Sequence, residues 1–112
     1  MEIETDRQDD ILSLLVSGRV DGSNAAAFEK TARAAIEEND RGVMMDFGSL
    51  SYISSLGLRV VLLIARRVIS RGAKFVLCTL SDELREVFKI SGFDQIIPIH
   101  PSRTEALASL GA

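Results

Sequence analysis

Asp46-Phe-Gly-Ser-Leu-Ser-Tyr-Ile-Ser-Ser-Leu-Gly-Leu-Arg59 decides how this chain is read. An apolar strand ends in a carboxylate, and a short polar turn follows. Two adjacent serines then open a long apolar helix. Hydroxyls at a helix N-terminus suit two tasks: capping the exposed N–H groups, or carrying a phosphate that the helix dipole would stabilise. Ser54, just before the apolar periodicity, is placed to cap. Ser55 falls at the first helical position, tilted toward Arg59.

Working outward, the sequence predicts β-β-α-β-α-β-α-β-α. Met1 to Thr5 reads as a short strand, and Arg7 to Asp10 as the turn to a half-buried strand at Ile11 to Val16. Asp21-Gly-Ser-Asn24 has cap chemistry and leads into a helix to about Asn39. The apolar stripe of that helix is Phe28, Ala32, Ala35 and Ile36. Gly42 to Phe47 is apolar on both faces, as a central parallel strand is. The central helix runs from about Ser54 to Arg71 and stops at Gly72. Ala73 to Leu80 is a further buried strand, Ser81 caps a helix to Ile90, and Ile96 to Ile99 is an edge strand marked by Pro98. Ser102-Arg-Thr-Glu105 is a capping box for a last helix closed by Gly111. The expected fold is α/β, one domain over residues 1–112, with a mixed, partly parallel sheet of about five strands and about four helices.

Composition excludes several functions. The chain has 112 residues, an apolar fraction of 46% and two prolines, which suits a globule with one core. A net charge of −3 gives no basis for a nucleic-acid or anionic-membrane partner. The acidic start Met1-Glu-Ile-Glu lacks a signal core, and no apolar run is long enough to span a bilayer, so a cytoplasmic location is expected. Cys78, in the run Phe75-Val-Leu-Cys78, reads as a buried inert thiol. His100 has no second histidine or cysteine to complete a metal set. No pattern activates a serine nucleophile, and no Gly-rich phosphate loop is present. Asp9 and Asp10 precede their strand, the wrong end for a phosphate-accepting aspartate cluster. The chain is expected to be a binding protein without cofactor or metal.

On a wheel of about 100° per residue with Leu56 at zero, Leu58, Val61, Leu62, Ala65, Val68 and Ile69 fall between roughly 120° and 240°. They form the expected core stripe. Leu56, Val60 and Leu63 lie within about 40° of zero, among Arg59, Arg66, Arg67 and Ser70. Apolar residues aligned on a polar face suggest a contact surface.

The chain resembles the STAS domain family of bacterial anti-sigma factor antagonists. The resemblance rests on Gly18-Arg-Val-Asp21 before the first helix, Asp46-Phe47, Leu50-Ser-Tyr-Ile-Ser-Ser-Leu-Gly-Leu-Arg59 and Ile90-Ser-Gly-Phe93. It implies a small mixed sheet with helices and a role in partner switching. In that scheme an unphosphorylated antagonist binds a serine-kinase-type anti-sigma factor and frees the sigma factor. Phosphorylation breaks the complex, and a serine phosphatase restores it. The commonest family motif reads aspartate, serine, phosphorylated serine or threonine, glycine. Here those positions are Ser54, Ser55, Leu56 and Gly57. The acceptor position is therefore apolar, and Ser55 or Ser54 is left as the candidate phosphoacceptor. The implied partner surface is Asp21, Gly22, Ser23, Asn24, Ser54, Ser55, Leu56, Gly57, Arg59, Val60 and Leu63, on a monomer or weak homodimer. Leu56 also fits a second expectation, a subunit docked permanently on a transporter ATPase or signalling scaffold without phosphorylation.

Overall fold

The computed structural model describes residues 1–111. Its elements are β1 (Glu2–Gln8), β2 (Ile11–Val20), α1 (Ala25–Ala35), β3 (Gly42–Ile53), α2 (Ser55–Ser70), β4 (Lys74–Cys78), α3 (Asp82–Ile90), a 3-10 turn (Phe93–Gln95), β5 (Ile99–His100) and α4 (Arg103–Ser109). The order matches the expected alternation. The five strands form one sheet in the sequence order β1-β2-β3-β4-β5. Only β1 and β2 pair antiparallel; every other neighbouring pair is parallel.

Hydrophobic burial assigns the helices to faces. Phe28 and Ala32 of α1, Val61, Ile64, Ala65 and Val68 of α2, and Leu84 and Phe88 of α3 share one cluster with Leu12, Leu14, Val43, Met45, Phe47, Phe75 and Leu77 of the sheet. The other face is covered by α4 alone, where Ala106 packs with Met44, Val76 and Cys78. Alternate residues of a strand point to opposite faces, so Met44 and Met45 serve different layers. Strands covered on both sides read as unbroken apolar runs, which explains Val43-Met-Met45 and Phe75-Val-Leu-Cys78.

Three helix starts follow the local chemistry of their serines. The side chains of Ser54, Ser81 and Ser102 each accept from the backbone N–H three residues on, at Gly57, Leu84 and Glu105.

Several boundaries differ from expectation. β1 runs on to Gln8, and the turn tightens to Asp9 and Asp10, with Asp9 in the left-handed region at φ 57°. An aspartate tolerates that region better than a bulky residue does. β2 extends to Val20 and is buried on both faces over Ile11 to Leu14 rather than half-buried. α1 ends at Ala35, four residues before Asn39, where the Asp40 side chain takes over the Glu37 N–H. β4 is limited to Lys74–Cys78. The expected strand at Ile96 to Ile99 is mostly turn, and β5 is only Ile99–His100. Pro98 still contributes its carbonyl, which accepts from Leu77 N.

The largest difference lies in the opening motif. No polar turn follows Asp46; β3 continues to Ile53, twelve residues in all from Gly42. Asp46 ends the ladder with β4, opposite Cys78, but β3 keeps pairing with β2 as far as Val20. The β2–β3 register shifts twice, between Leu15 and Ser17 and between Gly18 and Arg19. Each shift places an extra residue on β3. Such bulges bend a strand and break its alternation, which made this stretch look like a turn. Ser51 fits the second irregularity, donating its hydroxyl to Gly18 O at 2.9 Å. The bent extension carries the chain to Ser54 at the start of α2.

Candidate functional site

Two loops meet at the end of the β2–β3 extension. The first follows β2. Asp21 Oδ1 accepts from the N–H and the hydroxyl of Ser23, at 2.9 and 2.6 Å. Those bonds, led by the Ser23 hydroxyl, hold the Asp21 carboxyl below its ordinary pKa. Asn24 makes no side-chain cap to α1. Instead its Oδ1 accepts from Asp21 N at 2.9 Å, and its Nδ2 donates to Arg19 O at 2.9 Å. The residues read as a helix cap thus tie the loop to itself and to β2. Gly22 and Ser23 are left exposed.

The second loop is the start of α2. Ser54 accepts from Gly57 N at 3.2 Å, and Ser54 N donates to Val20 O at 2.8 Å. Its hydroxyl and backbone are therefore both engaged. Ser55 is exposed at the first helical position, beside exposed Leu56 and, one turn on, exposed Arg59. The loops touch: a Cβ at Gly22 would lie 3.4 Å from Leu56 Cδ1. Asp21 to Asn24 and Ser54 to Leu56 thus form one continuous face, which Leu63 and Arg59 extend along α2.

Two residues assigned to this face lie beneath it. Gly57 is buried, and a Cβ there would sit 2.7 Å from Cγ1 of both Val20 and Ile53. Its role is to let α2 close onto the sheet extension. Val60 is 6% exposed, not part of a surface strip. The helix is turned relative to the expected wheel. Its buried arc is Gly57, Val60, Val61, Ile64, Ala65 and Val68, while Leu62 is only half-buried and Ile69 is exposed. The reason is that α2 packs against α1 as well as the sheet, so the buried arc swings toward α1. Leu56 and Leu63 remain outside, 52% and 42% exposed.

Gly57 yields a specific expectation. Ala is the better helix former by about 1 kcal/mol. The clashing atoms, however, belong to β-branched side chains, which are stiff at χ1. Overpacking of that kind costs about 1–3 kcal/mol. Gly57→Ala is therefore expected to lower stability by a net ~1–2 kcal/mol in urea melts, against the propensity scale. A gain in stability would remove the close-contact account.

The sequence reading missed two residues beside the face. The Arg19 guanidinium carbon lies 4.4 Å from the Tyr52 ring centroid, across the β2–β3 ladder. Tyr52 is 42% exposed. The pair became visible only once β3 was seen to extend past Asp46, since it depends on the cross-strand register.

The described residues hold no group of three or more His, Cys, Asp or Glu able to bind a metal. Cys78 is buried, and desolvation raises its thiol pKa above the ordinary value. No helix among the described residues is long and apolar enough to cross a membrane.

Comparison with known proteins bears on the family and the fold. Residues 2–106 match the STAS domain model. A Bordetella bronchiseptica protein, provisionally named anti-sigma factor antagonist BtrV, is 41% identical over 109 residues, spanning 97% of this chain and 94% of that protein. The structure of an anti-sigma factor antagonist from Mycobacterium paratuberculosis superposes with a TM-score of 0.89 at 19% identity, covering 99% of this chain and 94% of that one. The phosphorylated form of the Bacillus cell fate determinant SpoIIAA superposes with a TM-score of 0.74 at 19% identity, covering 96% and 98% of the two chains. At those identities the two structures speak for the fold; the family match and the full-length relative place the chain. It belongs to the STAS domain family, among relatives named as anti-sigma factor antagonists.

Proposed function

We propose that this chain is an anti-sigma factor antagonist. It binds a serine-kinase-type anti-sigma factor through the face made by Asp21 to Asn24, Ser54 to Leu56, Arg59 and Leu63. The observation that carries the reading is the 41% identity to a relative of that name along nearly the full length of both chains. The geometry supports it: an exposed leucine stands at a helix N-terminus, braced by a self-bonded loop.

Regulation by phosphate would act at Ser55. Ser54 already spends its hydroxyl as the cap, whereas Ser55 is exposed at the helix start. A phosphate there adds about −1.5 to −2 charge beside Leu56 and is stabilised by unpaired N–H groups and by Arg59 one turn on. It would disfavour an apolar or acidic partner surface. The apolar Leu56 at the family's acceptor position means that any kinase must accept a hydroxyl turned about 100° round the helix.

The test is calorimetric titration with the purified kinase-type anti-sigma factor from the same genome. Leu56→Ala is expected to weaken binding by about 1–3 kcal/mol while leaving the circular dichroism unchanged, as truncation at an interface centre does. Ser55→Asp is expected to release the partner, and incubation with ATP to place phosphate on Ser55. Wild-type affinity in Leu56→Ala would contradict the assigned face. Absence of phosphate, with Ser55→Asp binding normally, would favour a permanently docked subunit instead.

A further inference from the structure

Arg59, Arg66 and Arg67 lie on α2, which contains no acidic residue from Ser55 to Ser70. All three are exposed, and none makes a side-chain hydrogen bond or ion pair among the described residues. By contrast Arg7, Arg33, Arg71 and Arg103 are all engaged by carboxylates or carbonyls. At about 100° per residue the three free arginines share an arc of roughly 100° with Leu56 and Leu63. The stripe therefore has two exposed leucines along its length, with cations on both flanks. It runs about 16 Å from Leu56 to Arg67.

This cationic stripe stands on a chain of net charge −3. At its far end Arg67 also lines the groove between α1 and α2, where Arg33 and Arg71 stand with Glu37 and Glu38, so the stripe passes there into a surface of mixed charge. A like-charged partner would have to bury repulsion against three unpaired guanidinium groups, which disfavours it. An acidic partner would gain pairs, and guanidinium suits bidentate carboxylate contacts.

We infer that the anti-sigma factor meets α2 with an acidic-rimmed apolar cleft: Leu56 and Leu63 fill the cleft, and carboxylates of the rim pair with Arg59, Arg66 and Arg67. This rests on the function proposed above and adds the partner's chemistry to it. It also supplies the electrostatic reason for release, because a phosphate on Ser55 would face that acidic rim and compete for Arg59.

The experiment compares wild type, the Arg66→Glu/Arg67→Glu double variant and Leu56→Ala, all checked for fold by circular dichroism. Each is titrated with the purified anti-sigma factor at about 50 and 300 mM NaCl, over which screening of exposed charges rises steeply. Wild type is expected to weaken about tenfold or more with salt. The double reversal should bind about thirtyfold or more weakly at low salt and lose that salt response. If the double variant keeps wild-type affinity and salt response while Leu56→Ala loses binding, the acidic-rim inference is overturned and the proposed function stands. If wild type does not bind the anti-sigma factor at all, both fall. Two controls name the other occupants. Sedimentation of the chain alone that shows a dimer broken by the double reversal would give the stripe to a second copy. Binding to phosphatidylglycerol vesicles, lost in the double variant and without binding to the protein, would give it to a membrane surface. Either result overturns the inference.

Discussion

Asp40→Ala is expected to destabilise the fold by about 3 kcal/mol, and to lower the thermal midpoint by more than about 10 °C. Asp40 is 2% exposed. Its Oδ1 accepts from Arg7 Nε at 2.9 Å, and its Oδ2 accepts from Arg7 Nη2 at 2.8 Å and from Glu37 N at 2.8 Å. The same Arg7 Nη2 donates to Ala35 O at 2.7 Å, and Arg71 donates to Asp40 O at 3.0 Å. One carboxylate therefore ties β1, the end of α1 and the approach to β3. Removing one partner of a buried pair costs about 3–5 kcal/mol because the other is stranded. Arg7 is 32% exposed and keeps its ion pair with Glu37 at 2.8 Å, which sets the expectation at the lower end. A loss below about 1 kcal/mol in urea melts would show that the network is an ordinary surface pair.

The network also carries a pH signature. Desolvation alone would raise the Asp40 pKa, but the Arg7 hydrogen bonds, the Glu37 N–H and the charges of Arg7 and Arg71 outweigh it and hold it below its ordinary value. The Arg7 pKa is correspondingly raised, chiefly by its hydrogen bond to Asp40. A depressed folded pKa contributes stability that is fully present above the unfolded value of roughly 4 and is lost as pH falls through the folded pKa. Asp40→Asn should remove that component, so the gap between wild type and Asp40→Asn should close on acidification. A gap that holds constant down to about pH 2 would contradict the linkage.

Ile64→Ala is expected to cost about 2–5 kcal/mol, and its neighbour Leu63→Ala less than about 1 kcal/mol. Ile64 is 1% exposed in the shared core of the sheet, α1 and α2. Deleting its methylenes loses transfer free energy and leaves a cavity between rigid layers. Leu63 is 42% exposed and has little burial to lose. Leu62, half-buried, should fall between the two. Equal losses at positions 63 and 64 in urea melts would reject the observed facing of α2.

These expectations mark where sequence reading succeeds and where it stops. The three serine caps were legible because a cap bond spans only three residues and follows directly from residue type. The buried strands at Gly42 and Phe75 were legible from unbroken apolar runs. The Arg7–Asp40 bond was not, because it joins residues 33 apart in the chain, and Arg7 taken alone looks like a turn residue. The β3 extension was hidden by its bulges. At the candidate site, exposure of Leu56, Arg59 and Leu63 followed from the wheel. The burial of Val60 did not, because it depends on where α1 lies. The fit of Gly57 against Val20 and Ile53 also did not, because it depends on the β2–β3 register.

The central claim is that the partner sits on the α2 N-terminal face. Amide hydrogen exchange of this chain, free and saturated with the purified anti-sigma factor, tests it most directly. The account predicts new protection at residues 21–24 and 54–63, with α3, α4 and the outer edge of β1 unchanged. Protection confined to α4 or to the β1 edge, with residues 54–63 exchanging as in the free chain, would contradict it.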